Sequence, residues 1–255
     1  MRMLHLSDLH FGGDCDETAE TQRMKLLDRL LELPELETVN VVLLTGDVAW
    51  HCEEKGYEKA SEWLGRLRGK VKSGARFIGC CGNHDVDQEK CKELQYISSA
   101  ERIRETLRLE ELPNLRRRFE KYISFCEKNH FEQLTLKNVK NYLVGSMDMA
   151  VDGMNLRFCV FNSAWYALKG GEEDKGHLWL GRNFYDMLNM EGTSEEQTYV
   201  ITAMHHPKEW LNENEIQTEG DNQNKSLFEL ISADSHMCFP GHTHGNIQTP
   251  NLYHN

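Results

Sequence analysis

Five short segments of this chain carry side chains that bind metal ions or move protons: Asp8-Leu9-His10, Gly46-Asp47, Gly82-Asn83-His84-Asp85, His205-His206-Pro207 and Gly241-His242-Thr243-His244. Carboxylate, carboxamide and imidazole together suit Mn, Fe or Zn better than Mg or Ca, although ligand type does not choose among the three. Asp8, His10, Asp47, Asn83, His205, His242 and His244 are too many ligands for one ion. Two ions sharing a bridging carboxylate would use them all, and pairs of ions about 3.5 to 4 Å apart are a recurring device for hydrolysing phosphate esters. Asp47 is the expected bridge. Asp8 and His10 share one side of a strand end and can hold one ion together, whereas His242 and His244, at the same spacing, can be divided between two.

These residues must be positioned by elements far apart in sequence. Val39 to Asp47 reads as a buried strand that delivers one carboxylate into a loop, with Gly46 allowing the sharp turn. Arg2 to Ser7 reads as a strand before it, and the spacing of Met24, Leu27 and Leu31 places a helix over Ala19 to Leu33, stopped by Pro34. Tyr57, Ala60, Leu64 and Leu67 mark a second helix, followed by a strand over Arg76 to Cys81. Strand and helix thus alternate, the pattern of an α/β fold, in which ligands gather outside the carboxyl ends of the strands. Residues 86 to 130 break the rhythm and read as a helical insertion; Arg116-Arg117-Arg118 within it reads as a solvated helix face. Further strands are expected over Asn141 to Val144, Leu156 to Phe161, Tyr199 to Met204 and Met237 to Pro240, with a short helix or its approach over Trp179 to Leu188. Between them, Gly170 to Gly176 is a loop with three acidic residues.

The chain has 255 residues, enough for one large domain, and one domain over 1–255 is the reading favoured. No apolar run approaches the roughly 18 to 20 residues that span a bilayer, so no membrane partner is expected. The first residues enter a strand pattern without a signal-peptide design, which points to the cytoplasm. Eight cysteines lack CxxC spacing and read as free, packed thiols. A net charge of −12 disfavours a broad nucleic-acid surface, while bound cations would supply the local positive charge that a phosphate needs.

The ordered set of motifs, D-x-H, G-D, G-N-H-[DE], H and G-H-x-H, resembles the calcineurin-like metallophosphoesterase superfamily from Met1 to Gly245. The resemblance implies a four-layer α/β/β/α metallophosphoesterase sandwich. It also implies that Asp8, His10, Asp47 and His244 hold one ion, and that Asp47, Asn83, His205 and His242 hold the other. His84 would face the phosphate, protonating the leaving oxygen or stabilising the transition state, with Asp85 orienting its ring and raising its basicity. A hydroxide generated on the ions would attack phosphorus in line. His206 would sit behind the ligands, with an exchange of roles with His205 left open; His51 and His177 are loop histidines or line the pocket.

Gly46-Asp47-Val48-Ala49-Trp50-His51 departs from the G-D-x-V-D-R-G of the Ser/Thr protein phosphatases. Gly56-Tyr57, Asn162-Ser163 and Gly176-His177-Leu178-Trp179-Leu180 are similar to segments of the cyclic-nucleotide phosphodiesterase-like branch, implying a small-molecule or nucleotide phosphodiester as substrate. The alternatives are a phosphomonoesterase, a nuclease similar to the SbcD type that would use Arg116 to Arg118, and a non-catalytic interaction module, the last disfavoured because no ligand is missing. Members usually continue past G-H-x-H with further strands, whereas only Asn246 to Asn255 remain here, so either the fold closes unusually early or the chain is a fragment of a longer protein, in which case a downstream domain could set substrate choice or partner.

Overall fold

The structure, a computed structural model, describes residues 1–13, 17–190, 197–217 and 225–243, with no side chain described over 17–19. The chain opens with β1 (Met3–Leu6), α1 (Glu17–Leu30), β2 (Val41–Thr45), α2 (Glu54–Arg68) and β3 (Arg76–Cys80). A helical stretch follows, with α3 (Ala100–Thr106), α4 (Leu112–Arg116) and α5 (Glu120–Lys128) joined by 3-10 turns. The second half contributes β4 (Leu134–Leu136), β5 (Val139–Asn141), β6 (Gly145–Val151), β7 (Met154–Val160), α6 (Arg182–Met187), β8 (Thr198–Ala203), α7 (Glu213–Ile216), α8 (Leu227–Ala233) and β9 (Met237–Phe239).

Two sheets result. The smaller is parallel, in the order β1-β2-β3; the larger is mixed, in the order β5-β4-β6-β7-β8-β9, with β7, β8 and β9 parallel. The period of two explains how they stack. Val41 and Leu43 of β2 join Ile78 and Cys80 of β3 in a core shared with Leu156, Phe158, Val160, Ile201 and Ala203 of the larger sheet. Val42, Leu44 and Phe77 point the other way, into a cluster with Tyr57, Ala60, Trp63, Leu64 and Leu67 of α2 and Ile123 and Phe125 of α5. Both faces of β2 are therefore buried, as its unbroken aliphatic run requires. On the larger sheet Cys159 and Val200 face the cluster that contains Phe184 of α6 and Ile231 of α8. At about 1.5 to 3 kcal/mol for each fully buried aliphatic or phenyl side chain, these two layers of contact hold the strand ends in register.

The sequence reading erred at Asn141 to Val144. That run is buried, but only Asn141 is strand, closing β5, and residues 142–144 form the turn to β6. The Asn141 carboxamide supplies the reason, since its Oδ1 accepts from Leu143 N (2.8 Å) and Val144 N (2.9 Å), closing an Asx turn where a ladder was expected. Strand β6, with Asp148 and Ala150 exposed on it, lacks the apolar run that marks its neighbours and was not anticipated. Nor do Arg116 to Arg118 act alike. Arg116 and Arg117 are exposed, whereas Arg118 is buried and donates to the Trp165 carbonyl at 2.5 Å. The seven cysteines among the described residues are buried free thiols.

Candidate metal centre

The loops that follow β1, β2, β3, β8 and β9 meet at one edge of the two sheets. Pairing of β1 with β2 continues past the strands through Asp8 N to Gly46 O (3.1 Å), His10 N to Asp47 O (2.9 Å) and Phe11 N to Val48 O (2.9 Å). Asp8 (φ 57°), His10 (φ 45°), Asp47 (φ 53°) and His242 (φ 72°) all adopt left-handed backbone conformations. Such conformations cost about 1 to 3 kcal/mol each for non-glycine residues and persist where the surrounding structure fixes them. The two sheets are stitched across this edge: His242 N donates to Asp8 Oδ2 at 2.9 Å, and His205 Nδ1 donates to the Thr45 carbonyl at 2.7 Å. Gly46, at φ 86°, leaves no room for a side chain, because a Cβ there would lie 2.5 Å from His205 Nδ1 and 2.7 Å from Gly82 N.

Asp47 lies at the centre, 1% exposed. Its Oδ1 accepts from His84 N at 2.8 Å, while Oδ2 faces His205 Nε2 at 3.3 Å and His10 Nε2 at 3.7 Å. Asp8 Oδ1 lies 3.9 Å from the same His10 nitrogen. Ligand-type atoms fall within 4.8 Å of one another in three sets: Asp8, Asp47 and His205; His10, Asp47 and His84; His205, His206 and His242. His244 lies outside the described residues. The other predicted site residues, Asp8, His10, Asp47, Asn83, His84, Asp85, His205 and His242, converge here.

The donor set fits a cation. Because the Thr45 carbonyl can only accept, Nδ1 of His205 carries a proton and Nε2 of the neutral ring presents a lone pair. That lone pair faces Asn83 Oδ1 (3.1 Å), Asp47 Oδ2 (3.3 Å) and His242 Nδ1 (3.2 Å). Without a positive charge among them, two oxygens and an imidazole lone pair would repel. The same demand shows in protonation. Burial works against charging His205, yet the Asp47 carboxylate raises its pKa to about 9. Burial opposes ionisation of Asp47 too, but His205, His84 and His10 hold its carboxyl below the usual range.

His206 behaves differently from its neighbour. Its Nε2 is 3.1 Å from Asn83 Oδ1, an acceptor, and its Nδ1 is 2.9 Å from Ser163 Oγ. The Asn83 contact puts the proton on Nε2 and leaves Nδ1 to accept from the serine hydroxyl. Burial, His205 and His242 push its pKa well below the ordinary value. His206 therefore props Asn83 with its one ring proton, and the free lone pair belongs to His205.

Asp85 does not orient the His84 ring as expected. It is buried, and its oxygens accept from Asp47 N (2.9 Å), Gly82 N (2.9 Å), Val48 N (3.2 Å) and Tyr57 OH (2.9 Å). A carboxylate saturated by these donors has nothing left for an imidazole. Its work is to clamp the loops after β2 and β3 together, with burial and Asp47 pushing its pKa to about 7. Instead, His84 Nδ1 accepts from His51 N at 3.3 Å, and its ring stacks on Trp50 with centroids 4.3 Å apart. The neutral ring then carries its proton on Nε2. Burial first, then His51 and His205, lower its pKa, against the pull of Asp47.

Tyr57 was read as a helix position and, with Ser163, within segments similar to the phosphodiesterase-like branch, but neither was read as a support of the site, and nothing in the sequence marks Trp50 as the platform for His84.

A family model, calcineurin-like phosphoesterase, matches residues 1–246. The chain belongs to the calcineurin-like phosphoesterase family. No curated protein matches the sequence. Among solved structures, a purple acid phosphatase, PPD1, from yellow lupin (Lupinus luteus) seeds aligns with a TM-score of 0.52 at 12% identity, over 96% of this chain and 38% of the other. This calcineurin-like phosphoesterase thus shares a fold with that phosphatase while spanning about two fifths of its length. A protein of unknown function, AQ665 from Aquifex aeolicus, aligns at 13% identity over 81% of each chain with a TM-score of 0.27. No helix among the described residues is long and apolar enough to cross a membrane.

Proposed function

We propose that this phosphoesterase hydrolyses a phosphodiester, of a small molecule or nucleotide, with two metal ions held on either side of Asp47. The supporting observation is the placement of Asp47 Oδ2 between His10 of the small sheet and His205 of the large one. Asp8 and His10 would complete one ion's ligands together with His244, and Asn83, His205 and His242 the other's. When bound, the ions supply positive charge to the phosphoryl oxygens and generate the nucleophile from water at neutral pH.

The chain's own groups do the rest. Asp85 and Tyr57 hold the loop that carries His84, and Trp50 fixes the plane of its ring. With Nδ1 occupied by His51 N–H, the Nε2 proton of His84 is directed to the substrate, where it hydrogen-bonds the phosphoryl or leaving oxygen as negative charge develops. No protein nucleophile is required, and the buried cysteines take no part. Diester preference is supported by Gly56-Tyr57, Asn162-Ser163 and Gly176 to Leu180, the segments similar to the phosphodiesterase-like branch.

The test is hydrolysis of bis-p-nitrophenyl phosphate against p-nitrophenyl phosphate after EDTA stripping and separate addition of Mn, Zn and Fe. Metal-restored activity favouring the diester is expected, with His84→Ala keeping both ions and losing on the order of 10² to 10⁴ in turnover. Monoester preference would overturn the diester reading, and loss of metal in His84→Ala would overturn the division of roles.

A further inference from the structure

The acidic loop at Gly170 to Gly176 takes no direct part in the site, yet it reaches one of the proposed ligands. Asn83 Nδ2 donates to the Gly170 carbonyl at 3.0 Å. A carbonyl can only accept, so this contact decides which end of the carboxamide faces the metal centre. With Nδ2 at Gly170, Oδ1 turns toward His205 Nε2 and His206 Nε2, both at 3.1 Å. Reversed, the amide would present N–H donors where a ligand oxygen is needed.

The turn that presents the Gly170 carbonyl is held chiefly by one side chain, through the backbone N–H groups that lead into it. Asp174 is 1% exposed, and its Oδ2 accepts from Gly170 N at 2.6 Å while its Oδ1 accepts from Lys169 N at 3.0 Å. Tyr96 OH donates to Oδ1 at 2.6 Å, and the Tyr96 ring stacks on His177, with centroids 4.4 Å apart. Gln88 Nε2 adds a second anchor through the Ala167 carbonyl at 3.1 Å. A carboxylate this deeply buried is costly unless its hydrogen bonds are satisfied, and here they converge on the turn that aims Asn83.

We propose that Asp174 is a positioning residue for the metal centre, holding the Gly170 carbonyl so that it orients the Asn83 carboxamide with its oxygen toward the ion shared with His205 and His242. This rests on the two-ion reading above. Groups that orient ligands from behind typically change metal affinity by about 10- to 100-fold when removed.

The experiment is Mn²⁺ titration of the EDTA-stripped full chain by calorimetry, with the EPR spectrum recorded at each equivalent, for the unsubstituted protein, Asp174→Ala, Asn83→Ala and the double variant. The unsubstituted protein should bind two ions and show a spin-coupled pair. Asp174→Ala should weaken one of the two ions by about 10- to 100-fold, leave the other within about threefold, and replace the coupled signal with that of an isolated ion. In the Asn83→Ala background the same substitution should add less than about twofold, because the group it positions is gone. An equal loss in both backgrounds, or an equal loss of both ions, would show that Asp174 only supports the fold and would overturn the proposal. So would unchanged affinity in Asp174→Ala. A single ion in the unsubstituted protein would overturn the two-ion reading, and this proposal with it, before any variant is compared.

Discussion

The two sheets contribute different chemistry to one site. From the parallel sheet come both carboxylates, the carboxamide and one imidazole: Asp8 and His10 after β1, Asp47 after β2 and Asn83 after β3. Among the described residues the mixed sheet contributes imidazoles alone: His205 after β8 and His242 after β9. Neither set is complete alone. Anionic oxygens gathered on one sheet would repel one another, and the facing imidazoles of the other, pinned by groups such as the Thr45 carbonyl, present lone pairs to them. The difference teaches that the proposed cation site draws on both sheets at the seam between them, and that the residues stitching the seam matter beside the ligands.

The sharpest way to break this comparison is to change the residue that faces both sets. Asp47→Asn should weaken both ions and lower kcat/KM by about 10³-fold or more, as removal of charge at the centre of such a site would; metal stoichiometry and diester hydrolysis check it. Retention of one ion at full affinity would mean that Asp47 serves one sheet only.

How much of this was legible beforehand divides along the same line. The small sheet was read well because β2 is a pure aliphatic run ending at Gly46-Asp47, and each of its neighbours ends in its own motif. The large sheet was read less well. β6 mixes methionine with polar residues, and Asn141 turns an apolar stretch into a bend through local hydrogen bonds that override its periodicity. At the site, residue types and strand-end placement were recoverable from sequence. Partnerships were not: Asp85 beside His84 in the chain suggested a dyad, but the carboxylate is consumed by backbone N–H groups of its own loop and the one after β2, and by the Tyr57 hydroxyl. Adjacent histidines 205 and 206 likewise differ only in what faces each nitrogen, which no spacing encodes.

A smaller effect tests the seam without touching a ligand. Gly46→Ala places a methyl group against His205 Nδ1 and Gly82 at a left-handed φ, and should cost about 3 kcal/mol, lowering Tm by roughly 6 to 12 °C in a chain of this size. Gly74→Ala, at a similar φ of 83° but with open space around it, is the control and should cost only the backbone strain. Equal losses in the two variants would remove the steric argument for the seam.

An effect on stability alone, with none on metal or turnover, lies away from both ligand sets, at Glu215, which is buried and accepts from Leu180 N (3.1 Å) and Gly181 N (3.3 Å). Burial raises its pKa from 4.5 to about 7, those two hydrogen bonds pulling the other way. The folded state therefore holds the proton more tightly than the unfolded one, and this group's contribution to stability falls as pH rises between those values. Above about pH 7 it levels off. Glu215→Gln should remove that slope, so the stability difference between variant and parent should shift by on the order of 3 kcal/mol across the window. Parallel denaturation curves for the two proteins at every pH would contradict it.

The central claim, a pair of ions at the seam, is tested most directly by anomalous diffraction from crystals of the Mn-loaded protein. The account predicts two peaks about 3.5 to 4 Å apart, on opposite sides of the Asp47 carboxylate, one beside Asp8 and His10 and the other beside Asn83, His205 and His242. A single peak held by one sheet's residues alone would contradict it.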